Sequence, residues 1–367
     1  MIKRSILLSI ASMVILSLIL GGCSTPAKPS ADSEKRVVTD LLGREVEVDA
    51  RVKRVVAIGP GALRLLSYFR DVDLIAGIEQ MDKDSSMGKP YVMANPSYAK
   101  LPVIGQGGPN NAPDPEKILA VQPDVIFSTY ASDKASADNL QSKTGIPVVA
   151  LSYGKTSTFD PAVNTSITLI GKVIGKEERA REIVDFIEEC KRDLDERTKN
   201  IPEEEKPSAY VGGLGMRGSH GIESTQSNYS LFNAVNAKNV ADETGKTGSV
   251  MIDKEKLLEW DPDKIFMDGG GFQLIRQDYQ KNPEFYHSLS AVKNGELYLQ
   301  LPYNFYTTNI DTAMANAYFI GKTLYPEQFK DIDPEKKADE IYKFLLGKEL
   351  YEQMAREFGG YKKVTLP

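Results

Sequence analysis

Two segments of this chain repeat each other. DPEKILAVQPDVIF (114–127) and DKEKLLEWDPDKIF (253–266) agree at eight of fourteen positions and lie 139 residues apart. Each reads as a short helix, a Pro-Asp turn that stops it, and a buried strand. Each is followed by another strand-like run, IPVVALS (146–152) and GELYLQL (295–301). A duplicated helix, strand, strand unit calls for two similar α/β lobes. The first lobe begins with a hairpin pattern, RVVTDLLGREVEV, and the valine-rich VKRVVAIG. These precede a helical ALRLLSYF and a strand-like LIAGIE, the order of a parallel sheet. Between the repeats, Val163, Ile167, Ile170, Ile174, Ala180, Ile183, Ile187, Cys190 and Leu194 keep helical spacing. Residues 160–200 are therefore expected to form one long bridging helix, with Gly175 as its irregular point. Cys190 falls on the apolar stripe and reads as a small buried residue.

The first residues, MIKRSILLSIASMVILSLILGGC, place Lys3 and Arg4 before a short apolar run that ends at small residues and Cys23. This is the pattern of a secretory signal rather than a membrane span. LGGC is similar to a bacterial lipobox, which makes Cys23 the expected lipidation site. Residues 1–22 read as signal peptide and 23–36 as a flexible tether. Residues 37–159 read as the first lobe, 160–200 as the bridge, and 201–367 as the second lobe with terminal helices. With Cys23 lipidated only Cys190 remains, and no intrachain disulfide is possible. Net charge is −6, becoming −8 once Lys3 and Arg4 are removed. That mild acidity excludes a nucleic-acid partner and keeps the protein soluble.

In order and spacing, VKRVVAIGPGALRLL, the twin PDVIF and PDKIF, the 160–200 segment, NAKNVAD (236–242) and YHSLSAVKNGELYLQ (286–300) resemble the iron-chelate and cobalamin family of substrate-binding proteins of ABC importers. The resemblance implies two Rossmann-like lobes joined by a helix, with a ligand cleft at the strand ends. It implies a monomer anchored by lipid to the extracytoplasmic face of the cell membrane. Its partners are then an ABC permease with its ATPase and a small-molecule metal chelate. No catalysis and no intrinsic cofactor are expected. A ferric chelate, siderophore or haem, is the expected ligand; cobalamin and a metal oxyanion such as molybdate are the alternatives within the same fold. Members usually carry a docking glutamate on each lobe. GPGALRLL and SNYSLFNAV, where those belong, contain no acid, which leaves Glu79 and Glu223 as substitutes.

The stretch VGGLGMRGSHGIEST (211–225) holds one of only two histidines. Its G-x-G-x-x-G lacks the helix that a dinucleotide loop requires. Two histidines and one unlipidated cysteine fall short of a dedicated zinc or manganese cage. Ser219, His220 and Glu223 are too close in sequence to form a hydrolytic triad, so a secreted hydrolase is the remote alternative. For a chelate, Arg217 offers a planar cation for carboxylate or phenolate oxygens. His220 offers a hydrogen bond or a ligand to an open metal position. Tyr130, Tyr153, Tyr303 and Tyr306 stand at predicted strand ends, where tyrosine gives an apolar face with a polar tip. Lys155 and Asn304 flank them. The Gly-rich loops 105–113 and 267–273 are read as equivalent cleft rims, and 81–98 as a surface excursion.

Overall fold

The computed structural model describes residues 34–108, 111–215 and 218–366. The signal peptide, Cys23 and Arg217 lie outside the described residues. Strands β1 (Lys35–Thr39) and β2 (Glu45–Asp49) form the expected antiparallel hairpin, with Val38, Val46 and Val48 buried. Then β3 (Val55–Ile58), β4 (Ile75–Gly77), β5 (Val125–Ser128) and β6 (Val148–Ala150) make a parallel sheet in the order β4-β3-β5-β6.

The second lobe carries β7 (Ser208–Gly212), β8 (Ser224–Ser227), β9 (Lys238–Asn239), β10 (Gly248–Met251), β11 (Lys264–Asp268), β12 (Leu297–Gln300) and β13 (Lys362–Lys363). Strands β8 and β10 pair apart from the main sheet, whose order is β13-β12-β11-β7-β9. Without the antiparallel β13, the two sheets share one order. PDVIF becomes β5 and PDKIF becomes β11 at the same place in each. The preceding helices, Pro115–Ala120 and Lys254–Trp260, also correspond. The residue before each proline is left-handed, Gln122 at φ 46° and Asp261 at φ 39°. Repeat and topology therefore agree down to the turn.

The bridge departs from expectation. Residues 160–200 form two helices, Pro161–Ile174 and Glu177–Thr198, because Gly175 adopts φ 70° and caps the first. The pair folds back on itself: Asn164 donates to Glu188 Oε1 at 2.6 Å, and Gly171 faces Ala180. The first helix stays with the first lobe. The second, 22 residues and about 33 Å long, makes the crossing. Arg179 near its start donates to Tyr68 O of the first lobe, and Asp195 near its end accepts from Asn236 of the second.

A Cβ added at Gly171 would sit 2.4 Å from Ala180 Cβ. Gly171→Ala is thus expected to destabilise by about 1–2 kcal/mol in urea unfolding, overpacking outweighing alanine's better helix propensity. A gain in stability would show that the two helices are free to separate.

The main hydrophobic cluster is continuous through both lobes, taking in Val55 and Phe127, Ile183 and Leu194 of the crossing helix, and Phe266 and Leu301. The buried helix Ile310–Leu324 adds to it, with Asp311 accepting from Tyr68 at 2.9 Å. Separate clusters cover the outer faces of the two sheets. Residues 81–98 are no surface excursion. Tyr91 and Tyr98 are buried, since the terminal helix Pro334–Leu346 packs over Pro90–Ala94. Cys190 is buried as expected, and burial pushes its thiol up to about 11. Among the described residues no helix is long and apolar enough to cross a membrane.

Candidate functional site

In the first sheet the strand order reverses between β3 and β5, and open α/β sheets bind ligands at the carboxyl ends beside such a reversal. Gly59 ends β3 at φ 91°; a Cβ there would lie 2.7 Å from Thr129 Oγ1 and 2.8 Å from Tyr130 N. Only glycine lets these strand ends close together. Glu79, just past β4, turns inward and is 2% exposed. Its Oε2 accepts from Gly59 N and from the Tyr306 hydroxyl, both at 3.0 Å. Tyr306 and Tyr130 have their hydroxyl oxygens 2.8 Å apart, and Tyr130 reaches Gly108 O at 3.1 Å. Burial pushes the Glu79 carboxyl up to about 7, with Asp82 adding to the rise and the Gly59 and tyrosine bonds opposing it. Burial likewise pushes the Tyr130 phenol up to about 12.

Tyr306 belongs to the loop after β12, so this cluster joins the two lobes. The loop is strained, with Tyr306 at φ 50° and Thr307 at φ 68°, each costing about 1–2 kcal/mol. Arg64 holds it there. The buried guanidinium donates to Asn309 Oδ1 at 2.6 Å, to Phe305 O at 2.7 Å and to the Tyr153 hydroxyl at 3.2 Å, and it lies 4.8 Å from the Tyr91 ring centroid. Nearby Asp82 and Asp311 have carboxyls raised by burial; Tyr91 and Lys89, and to a lesser degree Arg64, draw Asp82 back, and the Arg64 charge does so for Asp311.

All four predicted tyrosines do lie at carboxyl ends of strands, but they are not equivalent. Tyr130, half-buried, and Tyr306 meet at the junction. Tyr153 is committed to structure, accepting from Arg64 and donating to Gly61 O at 3.0 Å. Tyr303, 6% exposed, packs 6.2 Å from the Tyr229 ring inside the second lobe. Asn304 is exposed and donates to Gly215 O at 2.7 Å, tying the strained loop to the Gly-rich one. Lys155 is exposed and its backbone N donates to Asp160. His220 is half-buried; its carbonyl would lie 2.5 Å from a Cβ on Gly271 and that of Gly213 2.4 Å away, so Gly213 and His220 pack on the DGGG turn after β11.

Two rim expectations change. Loop 105–113 precedes the helix leading to β5, whereas 267–273 follows β11, so the two are not equivalent. Glu79 is buried and cannot dock a permease, and Glu223 is half-buried against Lys254 at 3.5 Å.

Three residues that organise these strand ends were missed: Glu79 as part of the site, Arg64, and Asp268, whose carboxyl burial pushes up to about 8. Each had a signal. Arg64 interrupts an apolar helical run, ALRLLSYF, and the two acids end buried strand patterns, LIAGIE and KIFMD. Among the described residues no three histidine, cysteine, aspartate or glutamate side chains gather to hold a metal ion. What the junction offers a ligand is two phenols, one carboxyl group and close-approaching glycine backbone.

A family model described as periplasmic binding protein matches residues 55–301. The molybdate-binding protein MolA of Haemophilus influenzae is 24% identical over 327 residues, covering 84% of this chain and 90% of that protein. The uncharacterised ABC transporter substrate-binding lipoprotein YvrC of Bacillus subtilis is 21% identical over 329 residues, covering 88% and 98%. A periplasmic solute-binding protein of Veillonella parvula superposes with a TM-score of 0.71 at 19% identity, covering 89% of this chain and 97% of that one.

Proposed function

The chain belongs to the periplasmic binding protein family, and on that premise we propose that it is a lipid-anchored receptor that captures a ferric chelate and delivers it to an ABC permease and its ATPase. One observation carries the reading: Tyr130, Tyr306 and the buried acid Glu79 meet where the two lobes join. Phenols give a chelate flat apolar walls with hydrogen-bonding tips. The lipid anchor rests on Cys23 and agrees with the relative named a lipoprotein. Arg217 and His220 of the Gly-rich loop would approach the ligand from the second lobe. No residue here is assigned a catalytic role.

The relative named for molybdate supports a second reading, an oxyanion ligand. Titration separates the two, using ferric siderophores, haemin, cobalamin and molybdate, and following the fluorescence of Trp260 and the tyrosines. A ferric chelate is expected to bind, and Tyr130→Phe to weaken it about tenfold, the worth of one hydrogen bond in a desolvated site. Arg217→Ala and His220→Ala should weaken it as well. Tight molybdate binding with no response to any chelate would reverse the assignment.

A further inference from the structure

Two helices flank the carboxyl end of β5. Pro115 opens the one before it, Pro115–Ala120, and an Asp133–Ser136 capping box fixes the start of the one after it, Lys134–Thr144. Between them lies a recess of about 210 Å³. A cavity of ~150 Å³ holds one benzene ring, so this one has room for a ring with small substituents. Pro113, Pro115 and Leu140 give it apolar walls. Tyr130 lines it as well, and because its hydroxyl is engaged with Gly108 O and Tyr306, what it offers the recess is its ring. Ser128, 1% exposed, also lines it. The Ser128 Oγ accepts from Tyr130 N at 3.2 Å and from Ala131 N at 3.3 Å, which leaves its proton with no acceptor among the described residues. A buried hydroxyl satisfied only as an acceptor calls for an oxygen from outside. Lys143 is the one charged residue of the described lining; it is exposed and has no ion-pair partner among the described residues. Serine proton and lone ammonium both ask for an acceptor, and no carboxylate of the described lining supplies one.

We propose that this recess is a second binding subsite, which takes a single aromatic ring bearing an anionic oxygen, carboxylate or phenolate. The flat faces of two prolines and a tyrosine suit a ring better than a branched chain, and Ser128 and Lys143 hold its oxygens. The recess belongs to the first lobe and shares Tyr130 with the junction, so a ligand seated at the junction would fill it by extending an arm past that ring. The subsite stands on its own lining; its use by an arm rests on the ferric-chelate reading and narrows it to chelates with aryl arms, of salicylate or catecholate type. A trihydroxamate without a ring, or molybdate, would leave the recess unfilled.

Iron-free salicylate is the first probe. Saturation-transfer NMR on the mature protein should show it binding in the millimolar range expected of so small a ligand, with benzyl alcohol, a ring without the charge, at least tenfold weaker. Asn139 is exposed on the rim. Asn139→Trp should fill the recess and abolish salicylate binding, and Lys143→Met should weaken it at least fivefold, both with unchanged thermal unfolding. Salicylate that does not bind, that binds both variants as well as wild type, or that is lost only through Tyr306→Phe at the junction overturns the proposal. Ferric chelates are the second probe: Asn139→Trp should weaken a chelate with salicylate arms at least tenfold and leave a ferric trihydroxamate unchanged. If salicylate binds as expected but no ferric chelate does, the chelate reading falls and the subsite stands. If both kinds of ferric chelate bind and Asn139→Trp affects neither, the chelate reading stands and the arm is overturned.

Discussion

Arg64→Met is expected to lower the unfolding free energy by about 4 kcal/mol. The substitution keeps the volume of the buried stem and removes the donors that Asn309 Oδ1 and Phe305 O depend on. Asn309 is fully buried and Phe305 half-buried, so the first acceptor is left desolvated and unpaired and the second loses its charged donor. The loop they belong to also loses what offsets its left-handed Tyr306 and Thr307. Asp311 would lose the cation that draws down its raised carboxyl, while Asp82 would keep Tyr91 and Lys89. Arg64→Lys should recover only part, because an ammonium cannot reach three diverging acceptors as a planar fork does. Urea unfolding at neutral pH measures the loss; a Met variant within 1 kcal/mol of wild type would mean the guanidinium is not what fixes the loop.

The second large effect depends on pH. Asp268 is 2% exposed, its Oδ1 accepting from Gly270 N at 2.8 Å, and burial pushes it up to about 8. An unfolded aspartate titrates near 3.9, so the folded protein holds this proton more tightly. The stability it contributes is complete below the unfolded value and drains away as pH rises through about 8. Asp268→Asn keeps the acceptor for Gly270 and removes the titration. Between pH 5.5 and 8.5 wild type should lose stability relative to this variant, by on the order of 3 kcal/mol. Parallel unfolding curves at the two pH values would show that Asp268 is already solvated in the folded state. Glu79 acts in the same direction, with its window ending near 7.

Much of the architecture was readable because it is periodic or repeated. The twin PDVIF and PDKIF segments located the third strand of each sheet, and the valine runs located their neighbours. The bridge was misread as one helix because its apolar spacing passes through Gly175 without a break. The fold-back depends instead on one left-handed residue and on the missing Cβ of Gly171. At the site, position along a strand was legible and partnership was not. Tyr130, Tyr153, Tyr303 and Tyr306 look alike in sequence; what each hydroxyl meets is decided by residues up to 227 positions away, as between Glu79 and Tyr306. The methionine-rich 81–98 segment was misplaced for the same reason, since its cover comes from helices near the other end of the chain.

A protein with two similar lobes invites engineering by exchange: keep one half and graft another to change the ligand. The continuous hydrophobic cluster argues against it here. A cut between the lobes would pass through a shared interior, with Ile183 and Leu194 of the crossing helix and the buried residues of Ile310–Leu324 in one cluster with both parents. Such a chimera would inherit mismatched surfaces along its length. The practical unit of redesign is smaller: the half-buried Tyr130 and the exposed Asn304 and Lys155 at the strand ends, changed while Leu301, Tyr303 and the buried clamp at Arg64 are kept, so that the interior both halves own in common stays closed.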